Sequence, residues 1–224
     1  MNVIDSLQKV YDKANFSKKA NTWIVTETNT GASFNKLRIN NDGEYFNVIE
    51  NKFYKGWSQV TTQLSSFLKD KDCDGVSMTQ LNKKKYLVLS ELKSALDSKD
   101  ILKAYEQIVF TYMKLHMAAS LCEGFDSDDF EIIGIIACHP PKDKNQETIL
   151  QQQYLFMEEC KEPDVRCLLK LYMEHKISNK FGAIHFTKGK PIHEKLKDKS
   201  ITIYLQTSPT ANDSEADIDL KSLV

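Results

Sequence analysis

Apolar residues change their spacing several times along the chain, and each change marks an element. Residues 2–15 place Ile4, Leu7, Val10 and Tyr11 on one side, which predicts a short helix. Trp23–Thr26 is β-prone, and residues 33–39 alternate apolar and polar as a half-buried strand does. Asn40-Asn41-Asp42-Gly43 is a turn signal. From Gly56 to Lys69 the period returns to that of a helix, with Trp57, Val60, Leu64, Phe67 and Leu68 inward. A charged connector (69–72) leads into a short strand over 73–78, a tight turn at 81–84, and the most apolar run of all, Tyr86–Leu92. Such a run predicts a strand buried on both faces, as at the centre of an α/β sheet.

The remainder is equally readable. Asp97-Ser98 can cap a long helix over 99–122, with Ile101, Tyr105, Ile108, Tyr112 and Leu115 as its apolar stripe and Gly124 to end it. Glu131–Cys138 is a second buried strand, stopped by Pro140-Pro141. Helices are expected over 146–160 and 164–176, separated by Pro163, followed by strands at 183–186 and 201–205. The order predicts one α/β domain over residues 1–207, a mixed β-sheet flanked by helices. Residues 208–224 are polar and acidic and read as a disordered tail.

Composition narrows the classes. The 224 residues carry 30 basic and 31 acidic side chains, a formal net charge of −1, so a strongly basic nucleic-acid binder is not announced. The amino terminus has neither the basic nor the apolar segment of a signal peptide, and no apolar run approaches the ~18 to 20 residues of a membrane span. A cytoplasmic protein without membrane contact is expected. The five cysteines form no CxxC pair, and Cys160, Cys167 and His175 fit no common zinc spacing, so free thiols in a reducing compartment are expected.

Candidate chemistry gathers in one place. Glu91 and Lys93 are two apart, so on a strand they share a face. If the preceding strand pairs as a hairpin, Asp74 reaches the same spot. Asp72 is the alternative carboxylate, but Gly75-Val76 continues Asp74 directly into a strand. An acidic-x-Lys triplet alone is uninformative, because the chain contains six; only Glu91/Lys93 ends a strongly apolar strand, with Asp-Gly one hairpin upstream. Two carboxylates and a lysine suit metal-assisted phosphodiester hydrolysis: oxygen ligands, with the Leu92 carbonyl as a further one, hold Mg²⁺, and the amine steadies charge on the phosphate.

On these residues the stretch 72–122 resembles the PD-(D/E)XK nuclease superfamily. Asp74 stands at its first acidic position, Glu91 at the second and Lys93 at the third, and Cys73 replaces the proline usual before the aspartate. The resemblance implies a restriction-endonuclease-like fold, Mg²⁺ with Mn²⁺ as a substitute, and DNA as the substrate. It also implies a role in restriction, anti-phage defence or repair, as a homodimer or with a partner protein. Some members carry Gln and, four residues on, Tyr on the next helix; here Gln107 is followed by Tyr112, five on, and Gln107 is kept as a candidate catalytic residue. Many members add a helical Glu before the core, for which Glu44 and Glu50 are candidates. The alternative function is a non-catalytic DNA-binding or scaffold module of a larger defence or repair complex.

Other features have plainer readings. His116 and His185 are expected to be structural, and His139 a loop residue near a sheet end. Lys83-Lys84-Lys85 is either a phosphate contact or a solvated hairpin tip. The lysines at 188, 190, 195, 197 and 199, with His193, form a second backbone-contacting surface or a charged loop.

Overall fold

The computed structural model describes residues 3–19, 21–42, 44–68 and 71–224. Its elements run, in chain order, α1 (Val3–Val10), β1 (Phe16–Lys19), β2 (Thr22–Thr26), β3 (Lys36–Asn40), β4 (Phe46–Ile49), α2 (Asn51–Leu64), β5 (Gly75–Leu81) and β6 (Lys84–Lys93). Then follow α3 (Ser98–Ala119), β7 (Phe130–Cys138), α4 (Lys144–Leu155), α5 (Pro163–Glu174), β8 (Lys176–Lys180), α6 (Glu194–Asp198), β9 (Ser200–Thr207) and β10 (Glu215–Asp219). Seven strands form a mixed sheet in the order β1-β4-β5-β6-β7-β9-β8, and β10-β3-β2 form a second, smaller sheet. The large sheet is antiparallel from β1 to β6, parallel across β6-β7-β9, and antiparallel again at β8.

Alternation along β6 explains the layers. Leu87 and Leu89 face the helices, in a core with Ile101, Ile108 and Tyr112 of α3. Tyr86, Val88 and Leu92 face the other way, onto Trp23, Val25 and Leu37 of the small sheet. Both faces of β6 are therefore dry, which is why its sequence is a continuous apolar run. The helices bury their apolar residues on one face of the large sheet, and the small sheet covers part of the other. Gly75 allows this: a Cβ there would lie 2.7 Å from the Trp23 ring. At the hairpin tip Asn82 and Lys83 both have positive φ (50° and 67°), the pairing a two-residue turn needs to match strand twist.

Several expectations need correction. The acidic tail is ordered: β10 pairs in parallel with β3, and Ala216, Ile218 and Leu220 are buried between its acidic residues. Its net polarity concealed a period-two apolar row, which is the signature of a half-buried strand. Residues 183–186 are not a strand; a 3-10 turn spans Phe181–Ala183, and the edge strand is β8, with its alternating exposed pattern. The short strands β1 and β4 are not marked in the sequence, because four residues hold too little pattern to count. Helix α1 stops at Val10 and α2 starts at Asn51, earlier than its apolar spacing indicated. Asn2, Gly43, Lys69 and Asp70, parts of the expected helix, turn and connector, lie outside the described residues. Among the described residues no helix is long and apolar enough to cross a membrane.

Candidate functional site

The β5–β6 hairpin places the first two acids side by side. Gly75 pairs with Ser90, so Asp74 and Glu91 follow as neighbours across the strands. Gly75 faces the small sheet, and Asp74, one residue earlier, turns to the helical side with Glu91. The Asp74 amide donates to the Ser90 carbonyl at 2.9 Å, and Asp74 Oδ2 accepts from the Leu92 amide at 2.8 Å. On a strand the N–H and C=O of one residue leave the same edge, so the Leu92 carbonyl is directed to the Asp74 side as well.

Glu91 ends the apolar row of Leu87 and Leu89 and is 1 % exposed. Its Oε1 accepts from Lys93 Nζ at 2.5 Å; its Oε2 is buried and finds no hydrogen-bond partner among the described residues. Lys93 Nζ also donates to Gln107 Oε1 at 2.8 Å, and Gln107 Nε2 donates to the Asp72 carbonyl at 2.7 Å. Asp74, Glu91, Lys93 and Gln107, chosen from the sequence, thus meet in one cluster, and α3 supplies the fourth member.

Electrostatics mark the cluster as strained toward neutrality. Burial, then the neighbouring Asp74, pushes the Glu91 carboxyl up to about 8, against the opposing pull of Lys93. Burial also lifts Asp74 to about 6; the Leu92 amide, Lys93 and Lys55 lower it, and Glu27 raises it. Two carboxylates that repel each other, one with an orphaned buried oxygen, suit a divalent cation, which would satisfy the orphan and relieve the repulsion. The oxygens grouped there are those of Asp74 and Glu91, with the Leu92 carbonyl directed to the same side. Among the described residues no group of three or more His, Cys, Asp or Glu side chains converges in metal-holding geometry, so any further ligands would be water or substrate.

No protein-family model matches this chain, nor does any curated protein or solved structure. The site therefore rests on its own geometry.

That geometry resolves several sequence alternatives. Asp72 is engaged elsewhere, its Oδ1 accepting from Ser58 Oγ at 2.8 Å and from Lys114 Nζ at 2.5 Å. Neither candidate for an added Glu joins the cluster: Glu50 precedes α2 and accepts from the Asn15 amide at 3.1 Å, and Glu44 is exposed in the turn after β3. The acid that does act on the site is Glu27, just after β2, which raises both carboxyls; Lys55 on α2 is the nearby cation. Nothing in the sequence around Glu27 indicates this, because the small sheet delivers it from far along the chain. Tyr112 lies off the site, stacked on Phe181 at 4.8 Å, while the position four after Gln107 is Thr111, whose Oγ1 accepts from the Cys73 amide at 2.9 Å.

The remaining readings also sort. Lys84 and Lys85 at the hairpin tip are paired with Glu131 and Asp129. In the lysine-rich stretch, Lys197 pairs with Glu194 and Lys199 with Asp128. His139 lies at the end of β7, within 3.1 Å of Ser33 Oγ and 3.4 Å of Ser208 Oγ. His185 is exposed rather than set in a strand. All five cysteines are free.

Proposed function

We propose that this protein is a Mg²⁺-dependent nuclease of the PD-(D/E)XK type, acting on the phosphodiester backbone of DNA. The observation that carries the reading is the convergence of Asp74, Glu91 and Lys93 at one end of the central hairpin, with Glu91 Oε2 buried and unpartnered. The α/β architecture, a central mixed sheet with an amphipathic helix following the Glu91/Lys93 strand, is compatible with a restriction-endonuclease-like fold.

Asp74, Glu91 and the Leu92 carbonyl would hold the cation. When bound, Mg²⁺ or Mn²⁺ supplies Lewis acidity, polarising a phosphoryl oxygen and easing deprotonation of the attacking water. The chain's own groups do the rest. Lys93 Nζ, held between Glu91 and Gln107, presents a donor to the attacking water or to the charge that grows on the phosphate. Gln107 touches Lys93 and fixes its direction. The low exposure of Glu91 and Lys93 strengthens these interactions by excluding water. A second copy, or a partner protein, would supply the site for the opposite strand of a duplex.

The test is direct. Purified protein with supercoiled plasmid and Mg²⁺ is expected to nick or linearise it, and Asp74→Ala, Glu91→Ala and Lys93→Ala to stop cutting while leaving the fold intact. Cutting that survives all three substitutions overturns the assignment. DNA binding without cutting, and without any metal uptake that depends on Glu91, would favour a scaffold or binding module instead.

A further inference from the structure

The buried positions of helix α3 are apolar or aromatic except for Thr111 and Lys114, and the half-buried Gln107 lies in line with them. Their spacing of four and three places them on one face. All three reach the same short peptide, residues 71–73, which lies just before β5 and outside the sheet ladder. Gln107 Nε2 donates to the Asp72 carbonyl at 2.7 Å, and Thr111 Oγ1 accepts from the Cys73 amide at 2.9 Å. Lys114 Nζ donates to the Lys71 carbonyl at 3.0 Å, to Asp72 Oδ1 and to Ser58 Oγ. From α2, the single hydroxyl proton of Tyr54 is shared between the Cys73 carbonyl at 3.1 Å and Asn51 Oδ1 at 2.6 Å.

Three of the backbone polar groups of this half-buried connector thus have a side-chain partner of their own, and a fourth, the Cys73 carbonyl, shares the Tyr54 proton. Lys114 is fully buried, and its pairing with Asp72 is not what bare stability asks for. A buried ion pair replaced by apolar groups of similar volume often costs nothing. What the pairing does achieve is placement. The gripped peptide ends one residue before Asp74, and its Asp72 carbonyl anchors Gln107, which holds Lys93.

We propose that Thr111, Lys114 and Tyr54 are positioning residues: with Gln107 they form a frame that fixes residues 71–73, so that Asp74 meets Glu91 and Lys93 in register. The inference rests on the nuclease reading for its consequence, but the frame itself is a property of the fold.

The experiment compares Thr111→Val, which deletes the acceptor, with Thr111→Ser, which keeps it, and adds Tyr54→Phe as a second deletion of minimal volume. Rates on plasmid DNA with Mn²⁺, Mn²⁺ affinity by calorimetry, and backbone hydrogen exchange at residues 72–74 are measured on each. A misplaced ligand of about 1 Å is expected to lower kcat about tenfold to a hundredfold for Thr111→Val and Tyr54→Phe, with KM unchanged. Thr111→Ser is expected to stay near the unaltered protein. Exchange at the Cys73 amide is expected to rise about tenfold in Thr111→Val, the equivalent of one lost hydrogen bond. Unchanged cutting in both deletions, unchanged exchange, or a Thr111→Ser variant as impaired as Thr111→Val overturns the proposal. If the unaltered protein neither cuts nor binds Mn²⁺, the nuclease reading fails. The frame is then judged on exchange alone, and faster exchange in Thr111→Val but not Thr111→Ser upholds it.

Discussion

The β5–β6 hairpin carries charge at both of its ends, and the two ends handle it in opposite ways. At the tip, Lys84 meets Glu131 at 2.7 Å with 64 % and 54 % of the side chains exposed. At the far end, Lys93 meets Glu91 at 2.5 Å with 12 % and 2 % exposed. The first pair sits in water and gains almost nothing from its partner. The second has lost its water, so its carboxyl is driven toward the neutral form and one oxygen is left unsatisfied. Charge at the tip is therefore dispensable, whereas charge at the far end is held in place by the fold at a cost. An arrangement of that kind points to chemistry rather than to stability.

The strongest way to break this contrast is to remove the buried charges. Asp74→Ala, Glu91→Ala or Lys93→Ala is expected to lower DNA cleavage by roughly a thousandfold or more in single-turnover assays. Next comes the frame behind them. Lys114→Met alone leaves Asp72 buried and unpaired, and is expected to cost about 3 to 5 kcal/mol in chemical denaturation. Pairing it with Asp72→Leu is expected to restore most of that loss. A smaller effect is the pH dependence of stability. Unfolded, Glu91 ionises near 4.5; folded, near 8. Across that window the unfolded chain releases its proton first, so stability falls as pH rises and levels off above about 8. Asp74, lifted to about 6, adds to the decline below that pH, so Glu91→Gln is expected to flatten it between about 6 and 8, and a steep decline that persists in that range would show that another group causes it. The smallest effect belongs to the tip: Lys84→Ala and Lys85→Ala are expected to change stability by less than about 0.5 kcal/mol and to leave cutting unaltered.

The same contrast explains what the sequence disclosed. The central hairpin, α3 and β7 were legible because long apolar runs and a sustained helical period leave little choice. Asp74, Glu91 and Lys93 were legible because strand alternation fixes which residues share a face, and the Gly75–Ser90 pairing then brings them together. Gln107 was found only through a resemblance. The frame has one signal in the sequence: a lysine in the apolar stretch Val109-Phe110-Thr111-Tyr112-Met113-Lys114-Leu115 has to find a buried partner. Glu27 and the pairing of β10 were out of reach for a different reason. The apolar row at 216, 218 and 220 marks a strand, but its parallel pairing with β3, like the arrival of Glu27 beside the hairpin, depends on distant segments that local pattern does not encode.

Calorimetric titration of Mn²⁺ at pH 7, run in two buffers of different ionisation heat, probes the carboxylate pair most closely. Because Glu91 is pushed up to about 8, one-site binding is expected to be accompanied by proton release, visible as a buffer-dependent heat, and to vanish in Glu91→Gln and Asp74→Asn. Binding that is absent from the unaltered protein, or that persists undiminished in both variants, would contradict a cation held between these two carboxylates.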